Sequence, residues 1–169
     1  MKREIWEWTK AIVIALVIAF ILRTFIFATS VVEGASMVPT LESGERVIFN
    51  KAVYLIDEPD RGDIVIIQHP HKNYVKRVIG LPNETLETRD NDLYIDGERV
   101  DEEYLTEEEL QGTGDIEPIV IPDGQYYVMG DNREISKDSR NGLGLIEEDD
   151  IIGRSEIIIF PFTNMSLTR

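Results

Sequence analysis

The 169-residue sequence contains no cysteine and only two histidines, and it is poor in basic residues beyond its first 29 positions. Without cysteine, neither a disulfide framework nor a thiolate metal site can form. That absence leaves the compartment open, because a domain lacking disulfides can still live outside a bacterial cell. The two histidines, His69 and His71, share one short "HPH" segment. They read as loop residues, so a Ser–His–Asp triad is poorly supplied and a two-histidine metal site lacks matched ligands. No metal and no cofactor is expected. Of the 17 basic and 32 acidic residues, positions 1–29 hold four and two, so the other 140 positions hold 13 and 30. A domain of that charge repels nucleic acid phosphates, which excludes nucleic acid as a partner. It is also soluble and sensitive to ionic strength. A second long apolar run is missing too: "IIIFPF", residues 157–162, is too short to span a bilayer, contains a proline and reads as a buried strand.

One long apolar run is present. Residues 11–28, "AIVIALVIAFILRTFIFA", are interrupted by one charge. As a helix rising about 1.5 Å per residue they span roughly 27 Å, enough for a hydrocarbon core. Arg23 lies near the far end, where it can snorkel to headgroups, and Trp6 and Trp8 suit an interfacial belt. A cleaved secretory leader is the competing reading, since Ala28 and Ser30 loosely fit a small-x-small site. The length of the run and its arginine favour an anchor. Lys2, Arg3 and Lys10 precede it, and no Lys or Arg follows Arg23 until Arg46, so the N-terminus is expected in the cytoplasm. The expected organisation is a cytoplasmic tail (1–10), a single transmembrane anchor (11–29) and an extracytoplasmic domain (30–169).

That outer domain is predicted to be mostly β. Short runs rich in β-branched and aromatic residues, such as "RVIFNKAVYLI", "DIVIIQ", "YVKRVIGL", "DLYIDGERV", "QYYVMG" and "SEIIIF", alternate with turn signals. Asp90-Asn91 and Asp96-Gly97 mark tight turns, so residues 84–100 read as a hairpin followed by a second turn. Open or barrel-like antiparallel sheets are expected. Residues 101–118 form an acidic, glycine-containing excursion, read as a mobile surface loop with one helical turn near Glu107 to Leu110.

Polar residues able to do chemistry gather in three places. Ser36 lies in "GASMVPT", where Gly34 and Ala35 leave room for an approaching backbone and Pro39 stiffens the exit. Lys76 lies in "YVKRVIG", where strand alternation sets it on one face with Tyr74 and Val78, opposite Val75 and Arg77. Burial there would lower its pKa and leave an amine able to accept a proton. The third place is "GDNREISKDSRNG", residues 130–142. A Ser–Lys dyad fits these residues; a buried lysine satisfied by carboxylates fits them as well.

In order along the chain, "GASMVPT", "RGDIV", "YVKRVIGLP" and "GDNREISKDSRNGLG" follow the apolar run. Together they resemble the sequence boxes of the bacterial type I signal peptidases, serine proteases of family S26, in the short Gram-positive form with one anchor. The resemblance covers essentially the whole chain to about residue 160. It implies a signal-peptidase-like antiparallel β domain behind one transmembrane helix, with Ser36 as nucleophile and Lys76 as general base. It further implies that Ser136 hydrogen-bonds the lysine amine and that Asp138 and Arg140 pair to hold their loop. Asp131 and Arg77 would give further support, and the Ser36 N–H would donate to the oxyanion. Some relatives carry a serine two positions before the nucleophile, where this chain has Gly34, so the second oxyanion donor is a backbone N–H or water. "LPNE" replaces the usual "LPGD" as a turn variation. The implied substrates are signal peptides of secreted pre-proteins with small residues at the first and third positions before the cut, with membrane lipid and a secretion translocon as partners.

An extended peptide would add as a strand beside the segments holding Ser36 and Lys76. Val32, Gly34, Met37, Leu41, Tyr74 and Val75 are the candidate pocket residues. A self-cleaving Ser–Lys repressor would share the chemistry, but the apolar run argues against it. A degenerate, non-catalytic surface assembly or binding protein is the second alternative, and the joint presence of Ser36, Lys76, Ser136, Asp138 and Arg140 argues against that.

Overall fold

The computed structural model describes residues 2–168. The chain opens with helix α1 (Lys2–Ile21), makes one π-helical turn (Leu22–Ile26) and passes directly into strand β1 (Phe27–Val31). The predicted anchor is therefore shared between helix and strand. Phe27, Ala28 and Thr29 pair with Asn50, Phe49 and Ile48 of β2 (Arg46–Asn50). The Lys51 N–H donates to the Ile26 carbonyl at 2.7 Å, which closes the junction. The helix stops here because an aromatic and β-branched sequence meets a strand edge with free backbone partners. The β domain thus begins at residue 27, not 30. Charged residues from Lys2 to Lys10 occupy the first half of α1. Its apolar stretch, residues 11–21, is about 17 Å long at about 1.5 Å per residue. Among the described residues no helix is long and apolar enough to cross a membrane.

The remaining strands are β3 (Ile64–Ile67), β4 (Tyr74–Gly80), β5 (Thr85–Arg89), β6 (Asp92–Ile95), β7 (Glu98–Val100), β8 (Ile116–Val120), β9 (Gln125–Met129), β10 (Ile146–Glu147), β11 (Ile151–Phe160) and β12 (Ser166–Leu167). They form two antiparallel sheets. The larger runs β1-β2-β11-β3-β4-β9-β10, with β12 on the outer part of β11; the smaller runs β7-β6-β5-β8. The expected hairpin at 84–100 is present as β5-β6-β7, with Asp90, Asn91, Asp96 and Gly97 all at positive φ in its turns. The run predicted over residues 46–56 is shorter. It ends at Asn50, whose side chain accepts from the Ala52 N–H and turns the chain into a 3-10 turn (Val53–Leu55).

Three apolar clusters fill the interior. One, with Val32, Met37, Leu41, Phe49, Ile64 and Ile66, lies under the segment that carries Ser36. A second, around Val65, Val78, Tyr126 and Val128, lines the opposite side of the larger sheet. The third, around Ile79, Leu86, Ile121, Tyr127 and Met129, joins the two sheets.

The acidic excursion differs most from its expectation. Its helical turn is real, α2 (Glu107–Leu110), closed by a capping box between Thr106 and Glu109. The segment is nevertheless tied down. Glu102 is buried against Arg133, with one oxygen 3.1 Å from Nη1 and a second contact of 2.5 Å to Nη2. Arg133 also donates to Thr113 at 3.0 Å. Residues 116–120 continue as β8 on the edge of the smaller sheet.

Removing one partner of a buried ion pair strands the other charge, so Glu102→Ala should cost about 3–5 kcal/mol. Thermal or denaturant unfolding of the two proteins measures this, and the loss should shrink when Arg133→Met is added.

Candidate active site

Ser36 sits in a turn that follows β1 and is pinned at both ends. The Val32 N–H donates to the Glu45 carbonyl at 2.8 Å, and the Gly44 N–H donates to the Val32 carbonyl at 2.9 Å. Gly34 takes φ +90, a left-handed geometry that a side chain would strain. Met37 and Leu41, 2% and 0% exposed, drive the turn into the core from below. The Asn132 N–H donates to the Ser36 carbonyl at 3.1 Å, so the serine is also fastened to the loop after β9.

Lys76, in the middle of β4, is 2% exposed. Its Nζ lies 2.7 Å from Ser36 Oγ and donates to the Val75 carbonyl at 2.9 Å. Burial drives its pKa down to about 8, with nearby Lys72 adding to the fall and Asp138 and Asp131 opposing it. A useful fraction of the amine is therefore neutral near physiological pH, and its lone pair can take the serine proton.

The supporting residues surround this pair. Arg77 grips Asp131 with two bonds, 2.9 and 2.6 Å, and donates to the Gly62 carbonyl at 2.8 Å. Thr40, four residues after Ser36, donates to Asp131 at 2.5 Å and joins the serine turn to that ion pair. The Tyr104 ring covers the Arg77 guanidinium at 3.9 Å. Asp138 and Arg140 also form a two-bond pair, 2.9 and 2.8 Å. Burial alone would raise the Asp138 pKa, but Arg140 and the Gly130 N–H outweigh it and hold the carboxyl below its usual range. Arg140 further donates to the carbonyls of Gly112, Thr113 and Arg133. The structure thus brings together Ser36, Lys76, Arg77, Asp131, Asp138 and Arg140.

Two expectations change. The Ser136 hydroxyl is fully buried and faces the Asp138 carboxylate, yet it completes no hydrogen bond within normal distance and angle limits, to Lys76 or to any other described residue. Leu41 does not line a pocket; it belongs wholly to the core beneath the turn. A cleft of about 660 Å³ runs past the pair, and Val32, Gly34, Met37, Tyr74 and Val75 do line it, together with residues 28–31 and Ile135. Sequence reasoning missed Thr40, Glu102, Tyr104, Thr113 and Arg133. Thr40, at the end of the Ser36 segment, and Arg133, inside the polar loop, carried a local signal; Glu102, Tyr104 and Thr113 meet the site through contacts far apart in sequence. His69 and His71 are exposed in the loop between β3 and β4. Among the described residues, no three metal-ligating side chains converge.

Comparison with known proteins follows the same lines. Residues 5–160 match the family model described as signal peptidase, peptidase S26. Signal peptidase I S of Bacillus subtilis is 49% identical over 175 residues, covering 99% of this chain and 95% of that protein. Signal peptidase IB of Staphylococcus aureus is 41% identical over 180 residues, covering 96% and 93%. The crystal structure of a signal peptidase I from Enterococcus faecalis superposes with a TM-score of 0.51 at 34% identity, over 59% of this chain and 97% of that one.

Two outcomes are expected from the geometry. Below its pKa of about 8 the lysine is mostly protonated. The rate of cleavage should therefore rise about tenfold per pH unit up to that point and level off above it, and a kcat/KM profile from pH 6 to 10 checks this. A Cβ at Gly130 would collide with the Ser136 hydroxyl and the Ser36 carbonyl. Gly130→Ala should accordingly lower kcat at least tenfold while leaving the far-UV circular dichroism spectrum unchanged.

Proposed function

The chain belongs to peptidase family S26, the signal peptidases, and we propose that it removes signal peptides from secreted pre-proteins by a Ser36–Lys76 dyad. The observation that carries this reading is the 2.7 Å approach of a buried lysine amine to a serine hydroxyl at the floor of an open cleft. Neutral Lys76 takes the Ser36 proton as Oγ attacks the carbonyl of the residue before the cut. The tetrahedral oxyanion accepts from the Ser36 N–H, which donates to no other protein group among the described residues. Collapse breaks the peptide bond, and the lysine hands its proton to the departing amine. Water, deprotonated by the same amine, then attacks the acyl-enzyme and releases the peptide's new carboxylate.

Arg77, Asp131, Asp138 and Arg140 act as positioning residues in this scheme, and Ser136 faces the dyad's supporting carboxylate. The peptide would lie extended in the cleft between residues 28–36 and the start of β4, with small side chains at the first and third positions before the cut over Val32, Met37 and Val75.

The proposed setting is a membrane surface. Residues 11–26 are helical without a break, and Ile12, Ile14, Leu16, Val17 and Phe20 are more than half exposed to the surroundings of the helix. An anchor there, N-terminus inward, would hold the β domain against the outer leaflet, because β1 follows the helical turn with no linker. Lipid, and the translocon that delivers pre-proteins, are its proposed neighbours. A non-catalytic assembly role has no observation in its favour.

The test is cleavage of a pre-protein bearing an Ala-x-Ala site by the full chain in detergent. Wild type should cut after the second alanine, and Ser36→Ala and Lys76→Ala should each lose at least a thousandfold in kcat while remaining folded. Normal cleavage by Lys76→Ala would contradict the dyad.

A further inference from the structure

The outer domain is strongly acidic, yet its cleft is not. The charged residues lining the cleft are Glu33 against Lys51, Lys72, Lys76 and Lys137. Even with the dyad lysine set aside, three cations face one anion, which reverses the ratio of 13 basic to 30 acidic residues in the domain as a whole. Lys72 and Lys137 are exposed, and neither forms an ion pair among the described residues. The Lys72 ammonium instead rests over the Tyr74 ring, 4.8 Å from its centroid, on the wall of the cleft. Lys137 lies between two fully buried residues, Ser136 and Asp138; its side chain runs along Gly142 and borders the same cleft.

The strand order gives these lysines a place along a bound peptide. One register row crosses the sheet through Phe27, Asn50, Arg154, Val65 and Lys76. Since β1 and β4 run in the same direction, the loop ahead of β4 projects past the end of the sheet at which α1 arrives. The Lys72 and Lys76 amines lie 4.8 and 6.0 Å from the centroid of the same Tyr74 ring, so they are at most about 11 Å apart, roughly three residues of extended chain at about 3.3 Å each. A peptide whose apolar segment lies beside α1 must pass Lys72 before it reaches Ser36. Lys72 then faces the third or fourth residue ahead of the cut, and Lys137, next in sequence to Ser136, borders the cleft near Ser36.

We propose that Lys72 and Lys137 are specificity-determining residues that favour acidic and disfavour basic side chains in the substrate segment close to the cleavage site. This rests on the reading of the chain as a signal peptidase. An isolated exposed charge pair of this kind corresponds to about a two- to fivefold change in rate or affinity, and it weakens as salt rises. In a domain whose outer surface repels acidic peptides, such a basic strip within reach of the dyad would attract them.

The experiment uses the full chain in a neutral detergent, without lipid, and three pre-proteins that share one Ala-x-Ala site. They differ only in having Asp, Ser or Lys four residues before the cut. kcat/KM is measured at one alkaline pH, so that any change in the Lys76 titration cancels in the ratio between substrates. Wild type should prefer Asp over Lys by about two- to fivefold at low salt. The ratio should fall to near one in Lys72→Gln, persist in Lys72→Arg, and decline in wild type at high salt. A matching set varied at the middle residue of the site should show the same dependence on Lys137→Gln. An Asp-to-Lys ratio unchanged by Lys72→Gln and Lys137→Gln would overturn the proposal. So would a preference seen only after anionic vesicles are added, which would assign the lysines to lipid headgroups. If wild type fails to cut even the Ser substrate, the peptidase reading fails first, and the proposal with it.

Discussion

A lysine amine held 2.7 Å from a serine hydroxyl, with almost no water around it, is the constraint that orders the rest of this structure. Bringing the two together is expensive, because Lys76 must give up hydration and the Ser36 turn must be fixed against chain entropy. The first cost appears as a lysine pKa lowered to about 8, tempered by Asp138 and Asp131, and the fold meets the second by docking Met37 and Leu41 into a core cluster beneath the turn. Ser36 therefore stands on packed hydrophobic side chains, and Lys76 stands on a seven-residue strand, paired there with Val65 of β3 and followed at once by the residues that pair with β9. Neither depends on a mobile loop.

Around that pair, charge is used for geometry. Arg77–Asp131, Asp138–Arg140 and Glu102–Arg133 are buried, and buried ion pairs add little net stability once desolvation is counted. What they add here is connection. Thr40 links Asp131 to the serine turn, Asn132 links the polar loop to the Ser36 carbonyl, and Arg140 and Arg133 reach the backbone and side chains of the 101–113 segment. Two carboxylates within this frame also act on Lys76 at a distance and temper the fall in its pKa caused by burial. The frame thus bears on both where the Lys76 amine sits and how readily it accepts a proton.

Much of this was legible in the sequence because its signals are local. The β5-β6-β7 hairpins follow from Asp-Asn and Asp-Gly turns, the helical turn of α2 was expected near Glu107 to Leu110, and the pairing of Ser36 with Lys76 was implied by the resemblance of their motifs to those of the signal peptidases. What was not legible depends on partners far along the chain. The start of strand β1 was hidden at the end of an apolar run that reads equally well as helix, and only its pairing with β2 decides the matter. Leu41 and Val32 look alike as candidate pocket residues, yet Leu41 turns into the core while Val32 borders the cleft. The acidic excursion has the composition of a loose loop; its order comes from Arg133 and Arg140, twenty or more residues away.

The account turns on the protonation of one amine, and that can be read directly. Carbon-13 NMR of the lysine side chains, followed through a pH titration of the folded full chain in detergent and assigned with Lys76→Arg, reports the Lys76 midpoint without any substrate. The structure predicts a midpoint near 8. A midpoint at about 10.4, the value of a free lysine, would mean that the amine stays charged beside Ser36 at physiological pH, and the dyad could not work as described.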